Sequence, residues 1–154
     1  MISNQCTEPS KPGPPSGDAF WTVGEGFKDA ADACLEKIQG GIYTGQIVYP
    51  CCFLYFRGIE LFLKGALIDR GISADEIRSA SHRITKLLSL LEGLIKLNEF
   101  GLPDEEASFL RKHSEDYASK WFEYPDILHS FYPDLDRSKV ICDKLCILTR
   151  KRPN

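Results

Sequence analysis

The chain has 154 residues, 43% of them hydrophobic and 27% charged, which suits one compact domain with a sizeable core and leaves little room for a second. Its 19 basic and 22 acidic side chains leave a formal net charge of −3, which excludes the electrostatic footprint of a general nucleic-acid binder and confines any such site to a local patch. No run of ~18 uncharged apolar residues is present to cross a bilayer, and no basic segment leads into an apolar run at the N-terminus as in a secretory signal, so the expected location is the cytoplasm.

Residues 1–17 are rich in proline and small polar residues, which neither pair in a ladder nor bury a face, and they predict a disordered leader. Asp18 then stands where a helix cap is expected. Phe20, Val23, Phe27, Ala30, Ala31, Cys34, Leu35 and Ile38 follow at helical spacing until Gly40 and Gly41 stop the pattern. After a short link holding Tyr43 and Gly45, residues 47–68 are apolar almost all round, with Pro50 tolerable in a first turn; such a helix belongs in the middle of a bundle.

Asp69, Arg70 and Gly71 supply the stop, and Ser73 with Glu76 has the form of a capping box. A third helix is expected from there, or from Ser81 if residues 73–79 make a separate turn, with Ile84, Leu87, Leu88, Leu91, Leu94 and Ile95 as its core face. Phe100 to Asp104 marks its end and the start of a fourth helix, whose first turn is acidic, as suits the positive end of its dipole. That helix carries Phe109, Leu110, Tyr117, Trp121 and Phe122 and breaks at Tyr124-Pro125-Asp126; a connector holds Ile127, Leu128, Phe131 and Tyr132. Pro133-Asp134 opens a last helix with Val140, Ile141, Leu145 and Leu148, and residues 151–154 form a basic tail. No strand-like alternation and no internal repeat stand out, so the expected fold is all-α: an up-and-down four-helix bundle over residues 18–150 with an additional short helix.

The six cysteines do not read as a disulfide framework. Cys51 and Cys52 are adjacent in an apolar run, and Cys142 and Cys146 sit one helical turn apart, so they read as small core hydrophobes. A zinc site built on Cys142 and Cys146 would need two further ligands, and no second tight pair stands near them, so neither a metal nor another cofactor is expected.

The polar residues inside apolar helices carry the functional signal. Arg57, Glu60 and Lys64 share one narrow stripe of the second helix, with Glu60 placed to pair with Lys64. That stripe is either a solvent-facing edge or the lining of a groove or subunit contact. Gly58 and Gly65, a heptad apart, allow another helix to approach closely, from the same chain or from a second one. On the third helix Arg78, His82 and Lys86 recur every turn, away from the apolar face, as a small basic stripe able to meet phosphate. His113 and His129 have no nucleophile or carboxylate at a spacing that specifies catalysis, and no Gly-rich phosphate loop, nucleophile elbow or His-Glu-x-x-His pair is present.

The run from Tyr55 to Gly71 with its Glu60-x-x-x-Lys64 pair, His82 heading a Leu-rich helix, and the later Tyr124-Pro125-Asp126 break together resemble the HEPN domain family. The resemblance spans most of residues 18–150. It implies an all-α bundle, commonly a homodimer, found beside nucleotidyltransferase-type partners, in toxin–antitoxin and defence systems, or as a nucleotide- or RNA-binding module. It also makes Glu60, Lys64 and His82 family positions. Many such proteins are metal-independent ribonucleases that use an Arg followed at a short fixed spacing by a His, one for the phosphate charge and one for proton transfer. Here Arg78 and His82 stand closer than that spacing, Arg111 and His113 closer still, and Glu123 precedes Tyr124 where relatives often carry Arg. The expectation is a dimeric binding module without ribonuclease activity, with Arg57, Glu60, Lys64, His82 and Lys86 at its ligand site or interface. The alternative is an endoribonuclease built on Arg78, His82, His113 or His129.

Overall fold

The computed structural model describes residues 13–41, 47–119 and 132–150. Outside the described residues lie most of the expected leader, the Tyr43–Gly45 link, Trp121 to Phe131 with the Tyr124-Pro125-Asp126 break, His129 and Glu123, and the basic tail. All regular structure among the described residues is helical: α1 (Gly17–Gln39), α2 (Val48–Ile68), α3 (Ala74–Ala80), α4 (Ile84–Glu92), α5 (Leu97–Phe100), α6 (Asp104–Ala118) and α7 (Leu135–Thr149). None of these helices is long and apolar enough to cross a membrane.

The cap of α1 is Ser16, two residues before the expected Asp18; its hydroxyl accepts from the Ala19 N–H at 3.2 Å. Gly40 and Gly41, the latter at φ +83°, end the helix as its sequence requires. The packing of α1 on α2 follows a small-residue seam. Gly17, Gly24 and Ala31 recur at heptad spacing on one helix, and Cys51, Gly58 and Gly65 do so on the other. A Cβ at Gly65 would stand 3.0 Å from Gly17 O, one at Gly58 would stand 3.3 Å from Gly24 O, and Cys51 Sγ lies 3.5 Å from Ala31 O. The helices are therefore antiparallel and in close backbone contact, and the two α2 glycines serve packing within the chain. The α7 helix closes the other side: Trp21 Nε1 donates to Cys146 O at 2.9 Å, and Cys142 Sγ would be 3.1 Å from a Cβ at Gly58.

Of the two openings expected for the third helix, the later one, after a separate element at residues 73–79, is closer to the structure, which divides the stretch into three helices. Ser73 caps α3 with the full capping box predicted from Glu76. The chain then turns at Ser81 before α4 begins, and Gly93 caps α4 at its end. Leu94 falls beyond that cap, is 46% exposed and leaves the core face assigned to it. Val23, Val140 and Leu148 are exposed as well. On α1 the buried stripe is centred on Gly24, Ala31 and Leu35, one residue round from Val23, and α7 buries Ile141, Cys142 and Leu145, turning Val140 outward. Asp134 caps α7 as its sequence suggests, accepting from the Arg137 N–H at 2.7 Å.

Cys51, Cys52, Cys142 and Cys146 are buried and unpaired. Burial pushes the Cys51 thiol up to about 12 and raises the other three, so these thiols stay protonated and inert.

Candidate functional site

The charged stripe of α2 does not face solvent. Glu60 is fully buried, and its carboxylate gathers four side chains. Lys64 Nζ pairs with Oε1 at 2.5 Å, and Arg57 Nη1 donates to Oε2 at 2.9 Å. The Tyr117 hydroxyl, arriving from α6, donates to Oε2 through a short hydrogen bond, and His82 Nδ1 lies 3.2 Å from the same oxygen. Arg57 Nη1 also stands 3.1 Å from His82 Nδ1. A guanidinium only donates, so Nδ1 accepts from Arg57 in the Nε2–H tautomer and donates to Glu60 whenever Nδ1 carries a proton.

Burial alone would push the Glu60 carboxyl up. The hydrogen bonds from Lys64 and Tyr117 and the charges of Lys64 and Arg57 outweigh it and hold the group below its ordinary value of 4.5. Tyr117 moves the other way: burial and the adjacent Glu60 charge raise its hydroxyl well above its ordinary 10.0, which keeps it a donor. The cluster is a carboxylate held ionised by two cations, with one positive charge left over.

His82 reaches this carboxylate because the chain breaks there. Ser81 adopts φ +53°, ψ −128°, and is the only non-glycine residue at positive φ among the described residues. A side chain in that region stores strain on the order of 1–3 kcal/mol. The turn ends α3, swings His82 onto α2 and restarts the helix at Ile84. The basic stripe expected from a continuous helix is thus divided. Arg78 points outward and pairs with Asp75 at 2.6 Å, and Lys86 is exposed beside a separate hollow it shares with Glu76, Ser79, Ala80 and Leu90. Only His82 joins Arg57, Glu60 and Lys64.

Beside His82 opens a cavity of about 260 Å³ lined by Ser81, His82, Arg83, Glu115, Ala118 and Ser119. Arg83 Nε and Glu115 Oε1 face each other across it at 3.9 Å. His113 lies elsewhere, packed edge-on to Phe56 and Phe109 at 6.3 and 4.9 Å between ring centres. Burial and the nearby Lys112 lower its pKa, and it borders a different hollow with Lys112, Asp116, Tyr132 and Arg137.

A second ionic cluster was not anticipated from the sequence. Lys28 and Asp32 on α1 interlock with Lys139 and Asp143 on α7, with contacts of 2.9 Å for Lys28–Asp32, Lys139–Asp32 and Lys139–Asp143 and 3.5 Å for Lys28–Asp143. The Tyr55 hydroxyl of α2 donates to Asp32 at 2.7 Å. The signal was a Lys-x-x-x-Asp pair on each of two helices. Tyr117 was read only as a core aromatic, and nothing in its local sequence marks the carboxylate it serves. Among the described residues no group of His, Cys, Asp and Glu is placed to hold a metal ion.

Compared with family models, with curated proteins and with solved structures, the chain finds no match.

Proposed function

We propose that this chain is a HEPN-like binding module that takes a nucleotide or RNA ligand through a phosphate at the His82 cavity and does not cut it. The observation that carries the reading is the Glu60 cluster: a fully buried carboxylate shared by Arg57, Lys64, Tyr117 and His82, with His82 on its outer side forming the cavity wall. Charges of this kind cost several kcal/mol to bury and are kept where they hold a site in shape. The surplus positive charge and the nearby Arg83 suit an anion, whereas the chain as a whole, at −3, repels one. The reading includes the homodimer that the family resemblance implies. A nucleotidyltransferase-type protein is the competing partner.

The test is equilibrium binding of labelled nucleotides and short RNAs to the purified chain at two salt concentrations. Binding that weakens with salt and falls at least tenfold in Lys64→Met supports the reading, provided the variant keeps its helical signal. No binding by either ligand class removes it.

One observation favours the ribonuclease alternative. Glu60 contacts Nδ1 of His82 at 3.2 Å, the layout that orients an imidazole whose other nitrogen acts as acid or base. The paired Arg78 does not reach His82, so such an enzyme would draw its cation from Arg57 or Arg83. RNA degradation in the presence of a chelator, lost in His82→Ala, would decide for it; intact RNA decides for the binding module.

A further inference from the structure

We propose that the His82 cavity is an end-binding site, taking a terminal phosphate monoester, on a mononucleotide or at the end of a strand, and not a phosphodiester within a chain. This rests on the nucleotide-binding reading above and narrows it.

Size is the first argument. At about 260 Å³ the cavity is smaller than the ~300–1,000 Å³ typical of pockets that enclose a whole small molecule. It takes a phosphate with room to spare but does not enclose a whole nucleotide.

Its inner end is also closed. The Nδ1 side of His82 abuts Glu60, which has no exposed surface, and the buried Tyr117 ring stands edge-on to the imidazole at 6.3 Å. A strand cannot pass through such a wall, so a phosphate that enters fully must be at a terminus.

Charge selects in the same direction. Behind His82 two cations share one carboxylate, leaving one positive charge uncompensated. A monoester carries close to two negative charges at neutral pH and a diester carries one, so the monoester gains more from that surplus. Arg83 and Glu115 both line the cavity, so the lining itself is balanced; their pair is long and both side chains are largely exposed, at 51% and 74%, so Arg83 can turn to the phosphate as Glu115 turns out to solvent. Turning Arg83 toward the ligand gives a charge-assisted contact of the kind that phosphate favours. Ser81, also in the lining, brings a hydroxyl as a neutral donor.

The test compares a tetranucleotide RNA in four forms: 5′-phosphorylated, 3′-phosphorylated, hydroxyl-ended and covalently closed, with 5′-AMP and adenosine as the mononucleotide pair. At least one phosphate-ended form is expected to bind tenfold or more tighter than both the hydroxyl-ended and the closed forms, with AMP similarly ahead of adenosine. Arg83→Gln is expected to erase most of that preference, and the exposed Lys96→Gln to retain it. Equal binding of the closed, hydroxyl-ended and phosphate-ended forms overturns the end-binding proposal while leaving the module a nucleic-acid binder. Absence of binding by every form overturns the functional reading itself.

Discussion

Replacing Glu60 by Gln removes one negative charge with almost no change of shape. It leaves Arg57 and Lys64 near each other with no carboxylate between them, while Tyr117 still has an amide oxygen to donate to. Removing one partner of a buried ion pair costs ~3–5 kcal/mol. Here the two cations keep 26% and 12% of their side chains exposed and can turn partly to water, so the expected loss is about 2–3 kcal/mol, less than the full buried-pair cost. In a chain of this length that lowers Tm by roughly 5–10 °C.

The assay is urea unfolding by circular dichroism at pH 7 on Glu60→Gln, Lys64→Met and the double variant. The double variant should lose less than the sum of the two singles, because its neutral glutamine no longer leaves Lys64 unpaired. Acid titration adds a second reading. Glu60 is held below its ordinary 4.5, so its contribution is fully present above that pH and is lost as pH falls through the lower folded value. The stability gap between wild type and Glu60→Gln should therefore narrow in acid. A Glu60→Gln protein within ~0.5 kcal/mol of wild type at pH 7, the range of an ordinary surface change, would refute the claim that this carboxylate is structurally committed.

Three further outcomes test the same geometry. Gly65→Ala puts a Cβ 3.0 Å from the Gly17 carbonyl and should lower Tm through overpacking that costs ~1–3 kcal/mol, whereas Gly26→Ala on α1, where nothing lies within 4 Å, should raise stability by ~0.5–1 kcal/mol; thermal melts of the pair give opposite signs. Tyr117→Phe should cost ~1–3 kcal/mol by removing a donor from a buried carboxylate. Its folded pKa is raised, so the Tyr117 contribution is complete below 10.0 and fades as pH climbs toward the higher folded value; melts at rising alkaline pH should bring wild type toward the variant. Ser73→Ala removes the reciprocal cap of α3 and should cost ~1 kcal/mol, with faster amide exchange confined to residues 74–80 if the helix frays locally.

The sequence made the helices legible wherever one residue decided the local outcome. Gly40 and Gly41, the Ser73–Glu76 box and Asp134 each end or begin a helix at the expected place. The break at Ser81 was open to only a half-reading, because a serine at φ +53° has no signature of the kind a glycine gives. Reading a continuous helix through it placed His82 on a polar stripe with Arg78 and Lys86, when the turn points it at Glu60. The α2 half of the site was visible in the spacing of Arg57, Glu60 and Lys64, since those three residues lie on one element. Tyr117 was not, because its partner is distant in sequence and the link exists only once α6 packs on α2.

The two ionic clusters of the fold differ in a way that bears on which of them is the site. Lys28, Asp32, Lys139 and Asp143 balance charge for charge, with the largely exposed Asp29 adding a third carboxylate on Lys28, and their links tie α1 to α7 with Tyr55 of α2 sealing Asp32. A set with no surplus cation offers nothing to an anion, and its plainest role is to fix how three helices meet. The Glu60 cluster has two cations against one carboxylate, lies at a strained break in the chain and has a cavity on its outer side. An unbalanced positive charge kept mostly from water is unfavourable until an anion joins it. Selection for stability alone would remove either the charge or the strain. That both are present at one place is what supports the proposed binding site at His82 over the Asp32 cluster.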